Sequence, residues 1–352
     1  ALAGSLGGCT LFPPAPDLEQ RRLQVSVPEQ WQGPAPARAE TTAEATTEAD
    51  EAAVLAQWWT RFNDPLLDQL IAQGLSASPD LRSAQAKLRS ARASRDLAAA
   101  DYYPGLSAST GATGSKASPA VSGGSSRRTT IYDAGFDASW EPDIFGVVRQ
   151  DVSAADADVA AQAATLEYAR VTLVGEVARN YVELRTYQER LQIARDNASS
   201  QAETLEITQW RQQAGLATEL DVEQARTSLE QTRATIPALV SNVSASQNRL
   251  AVLLGQTPGS LQERLGSAHP LPAAPREIAV GIPADALRRR PDVRAAERTL
   301  AAETARVHAR VAERYPSFTL SGSFGWQALT SGALGGSGTV ARSLAGTLAA
   351  TL

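Results

Sequence analysis

The chain holds one cysteine and two histidines in 352 residues, and no methionine. A single cysteine excludes an internal disulfide framework. His269 and His308 leave little for histidine-based metal or triad chemistry. No run reaches the ~18 uninterrupted apolar residues that a membrane-spanning helix needs. Lys and Arg number 33 against 38 Asp and Glu, a net charge of −5 that offers no basic footprint for nucleic acid. There is no P-loop, no nucleotide-binding glycine fingerprint and no metal-ligand spacing, so no enzyme is expected. A mean hydropathy of −0.22 reads as soluble, yet alternating barrel strands average to such a value too.

What is present begins at Ala1-Leu2-Ala3-Gly4-Ser5-Leu6-Gly7-Gly8-Cys9. Small and apolar residues running into Leu-Gly-Gly-Cys look like the tail of a bacterial lipoprotein signal peptide, with Cys9 the lipidated first residue of the mature chain. Such acyl chains hold a protein at a membrane surface without spanning it. The bland alternative is a Gly/Ala-rich start with an incidental cysteine. Residues 10–57 read as an extended segment and linker, because the Thr/Ala/Glu-rich stretch 35–53 has too little apolar surface to fold alone. Order is expected to resume at Trp58-Trp59-Thr60-Arg61-Phe62-Asn63-Asp64-Pro65.

An internal duplication organises the rest. Pro79-Asp80-Leu81-Arg82 recurs as Pro291-Asp292-Val293-Arg294, 212 residues on, and Tyr103-Pro104 recurs as Tyr315-Pro316. Each copy predicts a helix (within 58–103 and over 291–315), stopped where proline disfavours helical geometry for the preceding tyrosine. Strands follow, within 104–145 and 316–352. In one, Phe318, Leu320, Phe324 and Trp326 share a parity, with Ser317, Thr319, Ser321 and Ser323 on the other. In another, Tyr132, Ala134, Phe136, Ala138 and Trp140 oppose Asp133, Asp137, Ser139 and Glu141. The last ten residues alternate likewise, and residues 105–112 more weakly. Four such strands suit a membrane barrel with a wet lumen, where Asp133, Asp137 and Glu141 would line the lumen and bias passage towards cations. A soluble sheet with one face on a core is the ordinary alternative. Four strands cannot close a barrel, so several chains would have to build it.

Between the copies, residues 146–255 predict a long helical hairpin. No proline interrupts 146–213, and Val174, Val177, Tyr181, Leu184, Leu191 and Ala198 form a coiled-coil-like seam. At 1.5 Å per residue that helix is about 100 Å long. The tip falls at 214–221, where Gly215 breaks the helix and Thr218 with Asp221 restarts it as an amino-terminal cap. Pro237 predicts a kink in the return helix. The proline-rich stretch 256–290 predicts an irregular connection, and Arg288-Arg289-Arg290 reads as solvated charge at a helix start.

Several stretches together resemble the outer membrane factor family, the TolC-like channels, in its NodT-type lipoprotein branch. They are Leu6-Gly7-Gly8-Cys9, Trp58 to Pro65, Trp140-Glu141-Pro142-Asp143-Ile144-Phe145-Gly146, Gly215-Leu216-Ala217-Thr218-Glu219-Leu220-Asp221-Val222, and Gly281 to Glu297. The resemblance implies a mainly α fold with β: a duplicated helix–strand–strand–long-hairpin unit, assembled as a homotrimer with a twelve-stranded transmembrane barrel above a periplasmic α-helical barrel. It implies a passive exit duct in the outer membrane of a Gram-negative bacterium, lipid-anchored and extending into the periplasm. Small molecules such as drugs would reach it from a resistance-nodulation-division transporter through a periplasmic adaptor, with no cofactor beyond lipid on Cys9. By resemblance the adaptor docks at Gly215, Thr218 and Asp221, and Asp221 matches an acidic residue that helps latch the closed entrance. Family tips often carry an aromatic three positions before the glycine; this chain has Gln212 there, with Trp210 nearby. The second copy stops early in its second strand, so a fragment truncated in that repeat is expected. A type I protein-secretion duct of the same family, or a structural coiled-coil lipoprotein without a channel, are the alternatives.

Overall fold

The computed structural model describes residues 57–116, 128–273 and 287–350. The expected lipidation site Cys9, the linker at 35–53 and residues 281–286 of the repeat motif lie outside these. The elements are α1 (Pro65–Ala77), α2 (Pro79–Ala100), β1 (Gly105–Lys116), β2 (Arg128–Trp140), α3 (Val147–Gln213), α4 (Glu219–Leu253), α5 (Gln262–Leu265), α6 (Pro291–Ala312), β3 (Ser317–Ala328) and β4 (Val340–Ala349). Among the described residues no helix is long and apolar enough to cross a membrane.

The duplication is visible in the element bounds. The 22-residue helices α2 and α6, and the 12-residue strands β1 and β3, correspond at the offset of 212. The first residues of β2 and β4, Arg128 and Val340, also correspond, but the pairing does not: Gly114 faces Thr130 whereas its counterpart Trp326 faces Val340, so the second hairpin is shifted by two residues. Both helices end three residues before the tyrosine at which the sequence predicts a stop. The difference lies in the last turn, which tightens: Asp101, Tyr102 and Tyr103 each donate to the carbonyl three residues back rather than four.

One unit comprises 88–163 and 294–350 of the described residues. Its four strands pair antiparallel in the order β1-β2-β3-β4. Asp156 and Asp158, two positions apart and so on different sides of α3, pair with Arg95 of α2 and Arg306 of α6. The first part of α3 therefore has a repeat helix on either side of it.

The other unit comprises 57–87, 164–273 and 287–293. Asp64 caps α1 through its Oδ1, which accepts from Leu66 N and Leu67 N, with Pro65 at the first helical position where its missing N–H costs nothing. Leu67, Leu70 and Ile71 of α1, Val177 and Leu184 of α3, and Leu250 and Leu254 at the end of α4 are almost wholly buried together with Leu265. The expected irregular connection thus contains a short helix, α5, whose Leu265 belongs to this core. Helix α4 continues through Pro237, leaving one helical hydrogen bond unmade on an exposed stretch. At the foot of α6, Arg290 grips Asp292 with Nε at 3.0 Å and Nη2 at 2.6 Å, so this arginine of the basic run is spent on an ion pair at the helix start.

Candidate functional site: strand faces, a capped tip and a buried arginine

The pairing register decides which strand residues share a face. Cα partners Leu106 and Ala138, Ala108 and Phe136, Phe136 and Phe324, Trp140 and Leu320, and Phe318 and Leu348 put the even-numbered positions of all four strands on one side. That side carries every large apolar side chain of the strands except Ile131. It is uncovered: Leu344 and Leu348 are 78% and 71% exposed. Tyr132 and Trp140 on β2, like Phe318 and Trp326 on β3, stand eight residues apart, about 27 Å along a strand and about 20 Å along the normal at barrel tilt. Aromatics at both limits of an apolar band match the girdles of a membrane barrel.

The odd-numbered side is small and polar. Ser109 Oγ donates to Asp137 Oδ2 at 3.2 Å, and the hydroxyls of Ser323 and Ser343 are 2.8 Å apart. Asp133 and Asp137 both stand here, on β2. Glu141 does not share the ladder: β2 ends at Trp140, and Glu141 lies exposed one residue past it. The reason is the adjacent Pro142, which has no N–H to give a sheet.

The Trp140 to Gly146 motif builds the strand-to-helix corner. Trp140 Nε1 donates to Tyr102 O at 3.1 Å, and Asp143 accepts from Val148 N at 3.1 Å and Arg149 N at 2.9 Å, capping α3. Phe145 stacks on Tyr315 with ring centroids 5.1 Å apart and planes inclined by 12°. The residue before the first Tyr-Pro pair and the tyrosine of the second are therefore both tied to this one motif.

The hairpin tip is closed by backbone geometry. Gly215 N donates to Gln212 O at 2.9 Å and Leu216 N to Arg211 O at 2.8 Å, the paired bonds of a Schellman motif, with Gly215 at φ +73°. Three residues on, Thr218 Oγ1 and N both donate to Asp221 Oδ2, at 2.7 and 2.8 Å, while Asp221 N donates back to Thr218 Oγ1 at 3.2 Å. The Thr218 hydroxyl, then its backbone N–H, hold the Asp221 carboxyl below the usual carboxylate range. Gly215, Thr218 and Asp221 are thus brought together in one exposed turn, flanked by exposed Trp210, Leu216 and Leu220.

Sequence reasoning missed Arg185. It is fully buried, its guanidinium 4.9 Å from the Tyr181 ring centroid, and Nη1 donates to Gln188 Oε1 at 2.7 Å and to Ser267 O at 2.8 Å. Gln188 Nε2 in turn donates to Leu265 O at 2.6 Å, and Tyr181 Oη donates to Asp64 Oδ2 at 2.6 Å. Burial first, then the bond to Asp64, push the Tyr181 hydroxyl up to about 12. This polar chain joins α1, α3 and the connection after α5. A signal existed: the seam position between Leu184 and Leu191 is Gln188, a polar residue in an apolar slot. Among the described residues no group of three or more His, Cys, Asp and Glu could hold a metal ion.

Comparison with known proteins places this geometry. A family model described as "Outer membrane efflux protein" matches residues 70–256 and 282–352. Nodulation protein T of Rhizobium leguminosarum bv. trifolii is 36% identical over 272 residues, covering 76% of this chain and 56% of that protein. The toluene efflux pump outer membrane protein TtgC of Pseudomonas putida is 33% identical over 326 residues, covering 91% of this chain and 64% of that one. Among solved structures, the outer-membrane channel OprN shares 39% identity at a TM-score of 0.78, over 83% of this chain and 66% of that chain. The open state of the Neisseria gonorrhoeae MtrE outer membrane channel shares 26% identity at a TM-score of 0.67, over 82% and 64%. The chain spans between 56% and 66% of the length of these relatives.

Proposed function

The chain belongs to the outer membrane efflux protein family and has its TolC-like fold, and from that premise we propose that it forms the exit duct of a tripartite efflux pump. The observation that carries this reading is the sheet: apolar on one face, small and polar on the other, with β1 and β4 unpaired at its edges among the described residues. Four strands are about half of the smallest barrel. Three copies joined edge to edge make twelve strands, with Asp133 and Asp137 of each facing the water inside. Substrates pass through by diffusion and no bond is made or broken.

The remaining parts follow from the same assembly. The turn at Gly215, Thr218 and Asp221 docks a periplasmic adaptor, which links the duct to an inner-membrane resistance-nodulation-division transporter. Its rigid backbone closure and exposed Trp210, Leu216 and Leu220 support a docking role. Cys9 carries the lipid that anchors the chain to the outer membrane. The relatives' printed names, among them a toluene efflux pump component, support export of small molecules over proteins.

The test is the mass of the full-length gene product extracted in detergent from outer-membrane fractions. A trimer whose amino-terminal peptide carries acyl mass is the expected result. A soluble monomer or dimer would overturn the duct, and a trimer with an unmodified cysteine would overturn the anchor alone.

A further inference from the structure

The four strands carry five charged residues, and they separate by sign. Asp133 and Asp137 stand at odd positions, on the polar face; Lys116, Arg128 and Arg342 stand at even positions, on the apolar face. Each cation also sits at the strand end away from the helices. Lys116 is the last residue of β1, Arg128 the first of β2, and Arg342 the third of β4. All three are exposed. Lys116 and Arg128 lie beyond the Tyr132 girdle, and Arg342, opposite Phe324 as Tyr132 is opposite the corresponding Ala112, stands level with that girdle.

Lys116 and Arg128 are direct cross-strand partners. Like charges directly opposite on one sheet face repel and weaken the pair. No carboxylate of the strands relieves them, because their apolar face carries none. Cationic side chains on a lipid-facing surface are costly at mid-depth and cheap only near the interface, where phosphate is available. The opposite end of the same face holds Trp140, Phe318, Leu106 and Leu348 and no charge on the strands. The asymmetry concerns the two rims of the band and not the strands in general.

We propose that Lys116, Arg128 and Arg342 form a cationic rim that binds phosphate-bearing lipid headgroups of the outer leaflet. The occupant is a lipid: the rim sits at the edge of an uncovered apolar band, which takes the acyl chains while the cations take the phosphate. An arginine fork suits a phosphate oxygen pair and a lysine adds a point charge, so each contact is a charge-assisted hydrogen bond. This rests on the reading of the even-numbered face as membrane-facing.

The experiment titrates the detergent-extracted full chain with a bisphosphorylated glycolipid and, separately, with phosphatidylcholine, counting bound lipids by native mass spectrometry. Wild type is expected to prefer the phosphorylated lipid, and each of Lys116→Gln, Arg128→Gln and Arg342→Gln to cut that preference about fivefold. A charge-keeping set, Lys116→Arg with Arg128→Lys and Arg342→Lys, is expected to retain most of it. Excess inorganic phosphate is expected to leave it nearly unchanged; full displacement by phosphate alone would overturn the lipid as occupant. An unaltered preference in the triple Gln variant would overturn the rim. If the triple variant fails to fold, the single Arg342→Gln variant decides on the same readout. Failure of wild type to bind either lipid would instead sink the membrane-facing reading of the sheet.

Discussion

Gly135 and Gly325 face each other as Cα partners across β2 and β3, on the polar side of the sheet. A Cβ built on Gly325 would lie 2.5 Å from Ala134 O and 2.7 Å from Gly135 Cα; one built on Gly135 would meet Phe324 O at 2.9 Å. The backbones approach here because neither residue has a side chain, and the sheet can curl towards that side. Gly325→Ala is therefore expected to cost about 1–3 kcal/mol, and Gly135→Ala less, since its closest approach is longer. Heat-dependent dissociation of the detergent-extracted assembly on gels checks this, with Gly114→Ala, which would meet only Thr130 Oγ1 at 4.0 Å, as the neutral control.

Arg185 supports the second unit through hydrogen bonds to neutral groups. Truncation to Ala removes its bonds to Gln188 Oε1 and Ser267 O and leaves a cavity beside the Tyr181 ring. The expected loss is about 3 kcal/mol. Arg185→Met, which fills much of the same volume, should lose less, because two buried guanidinium nitrogens, Nε and Nη2, have no partner among the described residues. Urea unfolding followed by helical circular dichroism ranks the two variants. Equal losses would mean that the volume Met restores contributes nothing, and that the guanidinium bonds carry the whole effect.

Tyr181 gives the same unit an alkaline limit. Its folded value of about 12 lies above the ordinary 10, so the folded chain holds this proton where the unfolded chain has released it. The linked stability is present in full below about pH 10 and is lost progressively as pH rises towards about 12. Tyr181→Phe removes the bond to Asp64 Oδ2, is expected to cost about 1–2 kcal/mol at neutral pH, and should flatten this alkaline decline. Melting temperatures of both proteins across pH 9 to 11.5 would show it.

The helical tip works in the opposite direction. The folded value of Asp221 is depressed by the Thr218 hydroxyl and N–H, so its contribution is present above the ordinary carboxylate value and fades as pH falls through the folded one. Thr218→Ala removes both hydrogen bonds of the hydroxyl to Asp221, and amide exchange in the first turn of α4 should quicken by about fivefold. The same variant should weaken adaptor capture in a pull-down if the turn is the docking site. Faster exchange with unchanged capture would leave the cap structural and move the docking site elsewhere.

Much of this was legible in the sequence because it rests on local rules. The end of α3 at Gln213 follows from Gly215, the start of α4 from Thr218 and Asp221, and the polar and apolar strand faces from period-two alternation. What was not legible depends on partners distant in the chain. Gly135 and Gly325 are 190 residues apart, and only the register of β2 on β3 brings them together. Arg185 looks like surface charge on a long helix until Ser267 and Leu265 fold over it. Glu141 shows the converse, since alternation extended the strand one residue past the point where Pro142 ends it.

Asp133 and Asp137 differ in their surroundings, and the difference separates their expected effects. Asp137 Oδ2 accepts a hydrogen bond from Ser109, whereas a Cβ at Gly111 would touch the Asp133 carboxylate at 3.2 Å, so that glycine leaves room for it. If both line a water-filled lumen, three copies place six negative charges there. The double variant Asp133→Asn with Asp137→Asn should then lower the cation preference of single channels in planar bilayers. The change should be larger at 0.01 M than at 1 M salt, where the Debye length falls from about 30 Å to about 3 Å. Gly111→Val should perturb Asp133 alone and reproduce part of the loss. Channels whose selectivity ignores all three changes would place these carboxylates outside the conduction path.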